Sequence, residues 1–304
     1  IKSINVGNEI PITLSIAIGS ETDNFAQAYE YARVAIGLAL GRGGDQAVVK
    51  YGEKISYFGG QSAGTEKSTR VKARVKAQAF KEILESKETV LIMGHKRPDA
   101  DAFGAAVGVY RFVKTLGKNA HIVLNEVTSA TRPIVSGFQG NSLYGDDIII
   151  NSEYAISKVS PTTLVVVVDV NKPSMTECEE LLDLANSVVV FDHHRQTNEI
   201  IENATLSYIE PFASSACEMV AEILQYVNDG LKFKPIEADA MYAGIMIDTN
   251  NFMTKTGVRT FEAAAYLRRS GADVTRVRKM FREDASEYMA KAKTIRDTMI
   301  YRND

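Results

Sequence analysis

Two patterns of apolar residues alternate along the middle of this chain. Between residues 89 and 192, short unbroken runs of valine, isoleucine and leucine alternate with stretches whose apolar residues recur every three to four positions. The unbroken runs predict strands buried on both faces, and the wider spacing predicts helices. The predicted strands are TVLIMG, AHIVLNE, DIIIN, TTLVVVVDV and SVVVFD, and the predicted helices are FGAAVGVYRFVKTLG, SEYAISKV and TECEELLDLAN. We therefore expect an α/β fold with a largely parallel sheet flanked by helices.

Two other patterns lie on either side of this alternation. Residues 1–57 predict strand, helix and strand, in PITLSIAIG, NFAQAYEYARVAIGLAL and QAVVKY, and residues 57–64 form a turn-rich break. After residue 213 the pattern is helical, with helices expected near 215–229, 236–247, 259–270 and 286–301. The chain starts with Ile1 inside a strand-like pattern, so we expect it to be an excised piece of a longer protein.

The segment TEKSTRVKARVKAQAFKEILESKE predicts one basic helix. Val71, Val75, Ala79 and Ile83 recur every four residues, which favours a single apolar face, and lysines and arginines cover the remaining positions. Basic residues in this pattern are typical of a solvated connecting helix rather than of a phosphate-binding site.

The composition excludes several classes of protein. With 304 residues, 45% of them hydrophobic and 24% charged, the chain is ordinary for a soluble globular protein. Its formal net charge of -3 argues against binding long nucleic acid, whereas a small anionic substrate is compatible. Cys178 and Cys217 have no paired spacing, which indicates a reducing compartment. The sequence contains neither a signal peptide nor a long apolar segment, so we expect no membrane contact by this chain.

Acidic residues and histidines gather where the predicted elements end. The clusters are His95, Asp99 and Asp101 after TVLIMG; Asp169 at the end of TTLVVVVD; Asp192, His193 and His194 after SVVVF; and Asp248 at the end of MYAGIMID. Ligands of open α/β sheets bind at the carboxyl ends of the strands, so these clusters are predicted to converge on one site.

Each residue alone also has a structural explanation. Asp101 could cap the following helix, Asp169 could begin a turn, and His193 or His194 could be a partly buried histidine without further function. Taken together the residues favour a site, because three of the four histidines lie in these clusters beside acids at three strand ends. The fourth, His121, lies within AHIVLNE and is interpreted as structural.

The proposed ligands are imidazoles and carboxylates without thiolates. Neither cysteine lies in a cluster, which excludes a cysteine-rich structural zinc site. Nitrogen and oxygen ligands in this number suit two Mn²⁺ ions, with Fe²⁺, Co²⁺ or Mg²⁺ as alternatives. Two such ions would activate a water and hold phosphoryl oxygens, so the pattern predicts a hydrolase of phosphate esters or anhydrides.

The motifs GHKRPDADAFG, VVVVDV, VVVFDHHR and AGIMIDTNNF resemble, in order, the four motifs of the DHH phosphoesterase superfamily. The resemblance implies two sets of metal ligands that share one bridging residue. The first set is His95, Asp99 and Asp169, and the second is Asp101, Asp169, His193 and Asp248, with Asp169 bridging. The resemblance further implies that Asp192 orients a ligand and that His194 and Arg195 contact the substrate phosphate.

The upstream segment NFAQAYEYARVAIGLALGRGGDQAVVKYGEKISYFGG resembles the end of a degenerate GGDEF domain. A degenerate GGDEF domain, a basic linker helix and a DHH domain occur in this order in GdpP-type (YybT-like) cyclic-di-AMP phosphodiesterases. The resemblance implies four parts: the C-terminal part of a degenerate GGDEF domain at 1–57, a linker helix at 58–88, a DHH domain at 89–290, and at 291–304 a helix leading to an absent DHH-associated domain. Because GRGGDQ follows a predicted helix rather than lying on a hairpin, Gly43, Gly44 and Asp45 receive no cyclase role.

The resemblance implies hydrolysis of cyclic-di-AMP to linear pApA by a water activated between two metal ions. It also implies a full-length protein anchored at the cytoplasmic face of the membrane, and a homodimer. Two alternatives stay open: a phosphoesterase acting on pApA or short oligonucleotides, and a non-catalytic nucleotide-sensing module. The family's C-terminal domain carries a Gly-Gly-Gly-His motif, but no histidine follows His194. We therefore expect this chain to hydrolyse cyclic-di-AMP poorly and a small activated ester less poorly.

Overall fold

The computed structural model contains two separate sheets. It describes residues 14–41, 44–52, 54–59, 62–227, 230–282 and 285–298. Within these residues, the smaller sheet has three strands and the larger has six.

The smaller sheet contains β1 (Ile16–Ser20), β2 (Gln46–Tyr51) and β3 (Lys54–Gly59), with β1 and β2 parallel and β2 and β3 antiparallel. Helix α1 (Phe25–Gly41) connects β1 to β2, which confirms the predicted strand, helix and strand; residues 11–13 of the first predicted strand lie outside the described part. The predicted turn-rich break at residues 57–64 is wrong at both ends, because β3 continues to Gly59 and α2 begins at Ser62; residues 60 and 61 lie outside the described part. The turn at Gly52, with φ of +56°, folds β3 back onto β2.

The segment around residue 44 connects a helix to a strand, as the sequence predicts. Helix α1 ends at Gly41 and β2 begins at Gln46. Between them Gly44 and Asp45 have φ angles of +72° and +53°. Gly43 lies outside the described residues.

The larger sheet is entirely parallel, with strand order β6-β5-β4-β7-β8-β9, which confirms the predicted fold class. Its strands are β4 (Thr89–Met93), β5 (Asn119–Val123), β6 (Ile149–Ile150), β7 (Thr163–Val168), β8 (Val188–Asp192) and β9 (Leu206–Ile209). Strand β9 was not predicted, because its four residues include Ser207 and form no continuous apolar run.

Helices connect these strands and form the C-terminal part of the described chain. They are α2 (Ser62–Glu85), α3 (Ala100–Thr115), α4 (Arg132–Val135), α5 (Ser152–Ser157), a 3₁₀ turn (Pro173–Met175), α6 (Glu180–Leu184), α7 (Ala216–Tyr226), α8 (Pro235–Asp248), α9 (Val258–Arg269), α10 (Val274–Met280) and α11 (Ala285–Asp297). The four helices expected after residue 213 correspond to α7, α8, α9 and α11. Helix α10, which Asp273 caps by accepting from the Arg276 amide at 2.8 Å, was not predicted.

Both faces of the larger sheet are covered. Successive residues of β7 alternate between two apolar clusters: Leu164 and Val166 pack with α3, α7 and α8, whereas Val165 and Val167 pack with α5 and α6. This arrangement explains the unbroken valine runs, because a strand covered on both sides has no solvent-facing position for a polar residue.

Helix α2 is part of the core. The predicted apolar face was wrong for Val71 and Val75, whereas Ala79 and Ile83 are partly buried and pack against the core. Its buried residues are Ala73, Ala77, Phe80 and Leu84, whereas Val71 and Val75 are 64% and 60% exposed. A strict four-residue spacing advances by roughly 40° per step around a helix of 3.6 residues per turn, so such a series leaves any one face. The mixed spacing of the buried residues stays on one face. The Phe80 ring contacts the ring of Phe191, next to Asp192, edge-on at 5.1 Å.

Candidate metal centre

The structure brings the acids and histidines of all four motifs to one edge of the larger sheet. They lie at the carboxyl ends of β4, β7 and β8 and at the C-terminus of α8. Three groups have ligand atoms within 4.8 Å of one another: His95, Asp99 and Asp169; Asp101, His193 and Asp248; and Asp169, His193 and His194. The sequence-predicted metal ligands therefore share one location.

The turn after β4 presents His95 and Asp99. Asp99 caps α3, because its Oδ1 accepts from the amides of Asp101 and Ala102 at 2.9 and 3.0 Å. Its Oδ2 lies 3.8 Å from His95 Nε2. The capping role considered for Asp101 thus belongs to Asp99, and one carboxylate serves both the helix and the centre.

Asp169 lies between the two clusters. It directly follows β7 with a φ of +62° and is almost completely buried. Its Oδ2 lies 3.6 Å from His95 Nε2, and its Oδ1 lies 3.2 Å from His193 Nε2. Each oxygen therefore faces a different histidine.

In the second cluster, Asp101 and Asp248 lie on helices α3 and α8, and His193 follows strand β8. The fully buried Asp101 accepts from the amides of Ala216 at 2.6 Å and Cys217 at 2.9 Å, in the first turn of α7. His193 Nε2 lies 3.8 Å from Asp101 Oδ2 and 3.5 Å from Asp248 Oδ2. One imidazole nitrogen thus faces two carboxylates besides Asp169.

Asp192 belongs to none of the three ligand groups and instead holds His194. Its Oδ1 accepts from the His194 backbone amide at 3.1 Å and pairs with His194 Nδ1 at 2.8 Å. Asn171 Nδ2 donates to Asp192 Oδ2 at 2.5 Å and to the carbonyl oxygen of His194 at 3.1 Å. The ring of His194, with 59% of its side chain exposed, is therefore held at the mouth of the centre, and the next residue along the chain, Arg195, is exposed.

Sequence reasoning missed the contacts that Asn171 makes with Asp192 and that the first turn of α7 makes with Asp101. Asn171 follows Asp169 by two positions, which was the available signal. The helix itself was expected from residue 215, and Ser215 caps it by accepting from the Glu218 amide at 3.0 Å. No local pattern, however, reveals that amides 216 and 217 face Asp101. His121 is outside the centre; its buried ring bonds the carbonyl oxygen of Asp147 through Nδ1 at 2.6 Å, which agrees with a structural role.

Backbone strain concentrates in the loops of the centre. Among the described non-glycine residues, eight have positive φ, and six of them lie in these loops: Arg97, Asp169, Asn250, Asn251, Phe252 and Lys255. Left-handed conformations of such residues persist only where surrounding contacts enforce them, and they cluster at functional sites. Buried Thr249 provides such contacts after Asp248, since its hydroxyl donates to the Ile245 carbonyl at 2.6 Å and accepts from the Phe252 amide at 3.0 Å.

Crowding of carboxylates changes the protonation of the cluster. The neighbouring Asp99 carboxylate raises the pKa of His95 to about 9. Burial, and then the charge of Asp101, raise the pKa of Asp248 to about 7. Burial and the charges of Asp101 and Asp99 raise the pKa of Asp169 well above its usual range. Full ionisation of these carboxylates is therefore unfavourable in the absence of a cation, and positive charge from bound protons or metal ions stabilises the cluster.

Two buried atoms of the candidate ligands have the surroundings expected of cation ligands. Asp169 Oδ1 and His193 Nε2 are both buried, and neither has a hydrogen-bond partner among the described residues. Buried polar atoms without a partner are rare, and a bound ion or an ordered water is the usual explanation. Imidazole nitrogens and carboxylate oxygens suit divalent cations such as Mn²⁺, so the residues present fit such ions.

Two family models match the chain. The model described as "DHH family, N-terminal domain" matches residues 89–245. The model described as "Cyclic-di-AMP phosphodiesterase GdpP-like, GGDEF domain" matches residues 2–57.

Similar proteins cover nearly the whole chain. The cyclic-di-AMP phosphodiesterase PdeA of Listeria monocytogenes is 39% identical, over 96% of this chain and 45% of that protein. The cyclic-di-AMP phosphodiesterase GdpP of Geobacillus thermodenitrificans is 41% identical, over 95% of this chain and 44% of that protein. The chain thus spans less than half the length of these relatives. An exopolyphosphatase-related protein from Bacteroides fragilis shares the fold, with a TM-score of 0.63 and 18% identity over 75% of this chain and 66% of that one. Among the described helices, none has the length and apolar character needed to span a bilayer.

Proposed function

The chain belongs to the DHH family, and from this premise we propose that it carries the catalytic centre of a cyclic-di-AMP phosphodiesterase, which opens the ring to linear pApA. The observation that carries the proposal is Asp169, whose two carboxylate oxygens face His95 and His193 at 3.6 and 3.2 Å. A carboxylate whose two oxygens face different ligand groups is suited to bridge two cations.

The sequence predicts two sets of ligands, and the grouping of their atoms within 4.8 Å of one another supports this division. His95, Asp99 and Asp169 would hold one ion, and Asp101, Asp169, His193 and Asp248 would hold the other. Mn²⁺ suits these ligands, with Fe²⁺, Co²⁺ or Mg²⁺ as alternatives. When bound, two divalent cations supply an acidified water for attack on phosphorus and positive charge for the phosphoryl oxygens.

His194 would contact the phosphate. The hydrogen bond that His194 Nδ1 donates to the Asp192 carboxylate raises the pKa of His194, so the ring carries positive charge more readily than a free imidazole. Because Nδ1 is held by Asp192 at 2.8 Å, Nε2 is left to donate to a phosphoryl oxygen. A donor fixed beforehand stabilises charge that develops in the transition state. Exposed Arg195 would add a second cation at the same mouth.

The order of modules supports a cyclic dinucleotide as substrate. Both relatives named cyclic-di-AMP phosphodiesterase align over at least 95% of this chain, including the GGDEF-like and DHH segments. Matches at 2–57 and 89–245 support the division into a degenerate GGDEF part, a linker and a DHH domain. We also propose a full-length protein at the cytoplasmic face of the membrane that acts as a homodimer.

Hydrolysis assays test the proposal. The metal-stripped chain is incubated with cyclic-di-AMP, with and without Mn²⁺, and the products are separated by chromatography. The expected product is pApA, formed only with metal. Faster turnover of pApA or short oligonucleotides would favour the related phosphoesterase. Nucleotide binding without turnover, even of a small activated diester, would favour a sensing module and overturn the proposal.

A further inference from the structure

One glycine of α8 lies directly against Asp101. A Cβ placed on Gly244 would lie 2.9 Å from Asp101 Cα, 3.0 Å from Asp101 Oδ1 and 2.5 Å from Cys217 Sγ. Alanine is the better helix former, and Gly244 lies inside a helix without a positive φ. The glycine is therefore required for space and not for backbone freedom.

The first turn of α7 holds the other side of Asp101. Two of its amides, those of Ala216 and Cys217, donate to the two oxygens of the carboxylate. The N-terminus of a helix favours a negative charge at this position. Asp101 is thus enclosed by its own helix α3, by α7 and by α8.

The two proposed ion sites therefore depend on different parts of the fold. His95 and Asp99 belong to one turn that follows a strand. Asp101 faces His193 and Asp248 only while α3, α7 and α8 keep their spacing. Closely packed interiors transmit small displacements, so added volume at residue 244 would move this carboxylate.

We propose that Gly244 is a positioning residue for the second metal site. Together with the first turn of α7 it forms a seat, defined as Gly244 and the amides of Ala216 and Cys217, that holds Asp101 toward His193 and Asp248 before any ion binds. The inference rests on the two-ion centre proposed above. Added volume at residue 244 weakens binding of the second ion and leaves binding of the ion at His95, Asp99 and Asp169 unchanged.

Metal titrations of Gly244→Ala test this inference. Metal-stripped protein is titrated with Mn²⁺ by calorimetry, and ions per chain are counted by atomic emission. The unmodified chain should bind two ions, whereas Gly244→Ala should bind the first normally and the second at least ~10-fold more weakly, as observed for residues that orient metal ligands. Normal binding of both ions by Gly244→Ala would overturn the inference.

Gly108→Ala is the matched control. Gly108 also lies where α3 meets α8, but the atoms nearest to its Cβ position belong to Met241 and Val220. This variant should keep both ions. If both variants bind the second ion equally weakly, the effect comes from general helix packing and the inference is overturned. In Gly244→Ala/Cys217→Ala the thiol contact is removed while the contact with Asp101 stays, so recovery of the second ion would also overturn the inference.

A milder variant covers the case in which Gly244→Ala does not fold, which circular dichroism would show. Ser215→Ala loosens the first turn of α7 without adding volume, and it should weaken only the second ion, by several-fold. Unchanged binding in Ser215→Ala would contradict the seat. If the unmodified chain binds fewer than two ions, the two-ion proposal itself fails, and the two failures are thereby distinguished.

Discussion

At the scale of single residues, the centre is built from carboxylates that serve two purposes. Asp99 caps α3 with one oxygen and faces His95 with the other. Asp101 accepts two amides of α7 and still faces His193. Bonds to backbone amides fix these side chains before a cation arrives, which lowers the cost of assembling the site.

Asp192→Asn should reduce turnover and leave the ions in place. The substitution removes the charge that holds His194, and losses of such orienting groups typically reduce activity about 10- to 100-fold. Steady-state kinetics and metal counting are compared with Asp146→Asn, a change of an exposed aspartate. An unaltered kcat, or loss of metal, would show that Asp192 does not act through His194.

The affinity for metal should rise with pH. In the metal-free protein, a pKa of about 9 keeps His95 protonated at neutral pH, and a pKa of about 7 leaves Asp248 half protonated. Ligands must lose these protons to bind a cation, so affinity for Mn²⁺ should increase from about pH 6 to about pH 8. Calorimetry in buffers of different ionisation enthalpy should detect proton release. Constant affinity over this range would contradict these protonation states of His95 and Asp248.

The candidate ligands could be predicted because each lies in a short motif at the end of a strongly patterned element. Their surroundings could not. Asn171 contacts Asp192 only through the tertiary fold. The amides that bind Asp101 belong to Ala216 and Cys217, which lie more than 110 residues further along the chain. Backbone amides carry no residue-specific signal, so only the fold reveals them.

At the scale of elements, α2 is the part that sequence periodicity described least well. Its lysines and arginines suggested a solvated connector, but Phe80 packs against Phe112 and against Phe191 of β8. Two strands were also missed because their local patterns are weak. Strand β3 ends next to a glycine pair that resembled a break, and β9 has only four residues. Long strands such as β7 were predictable because every residue is buried.

Phe80→Ala should destabilise the larger sheet. Truncation of a fully buried phenylalanine typically costs about 3–5 kcal/mol of unfolding free energy. Val75→Ala, in the same helix but 60% exposed, should change stability by less than ~0.5 kcal/mol. Denaturant unfolding of both variants makes the comparison. Similar losses would mean that α2 does not pack as described.

At the scale of the whole molecule, the parallel sheet explains how distant motifs form one centre. Strands β4, β7 and β8 are adjacent and parallel, so residues 95, 169 and 193 meet at their carboxyl ends although the chain between them is long. The smaller sheet contributes none of the candidate ligands found among the described residues.

The N-terminal module should have no cyclase activity. Gly44 and Asp45 connect α1 to β2 and do not lie on a hairpin between strands. Incubation of the chain with ATP or GTP and Mg²⁺ should give no cyclic dinucleotide. Formation of such a product, abolished by Asp45→Ala, would overturn this expectation.

The central claim is that Asp169 bridges two cations, and electron paramagnetic resonance of the Mn²⁺-loaded chain tests it most directly. Two Mn²⁺ ions joined by one carboxylate interact magnetically, so at two equivalents the spectrum should be that of a coupled pair. Asp169→Asn should lose the coupled spectrum together with tight binding of both ions. A spectrum of two isolated Mn²⁺ ions in the unmodified chain, or a coupled pair that survives in Asp169→Asn, would contradict the bridging role of Asp169.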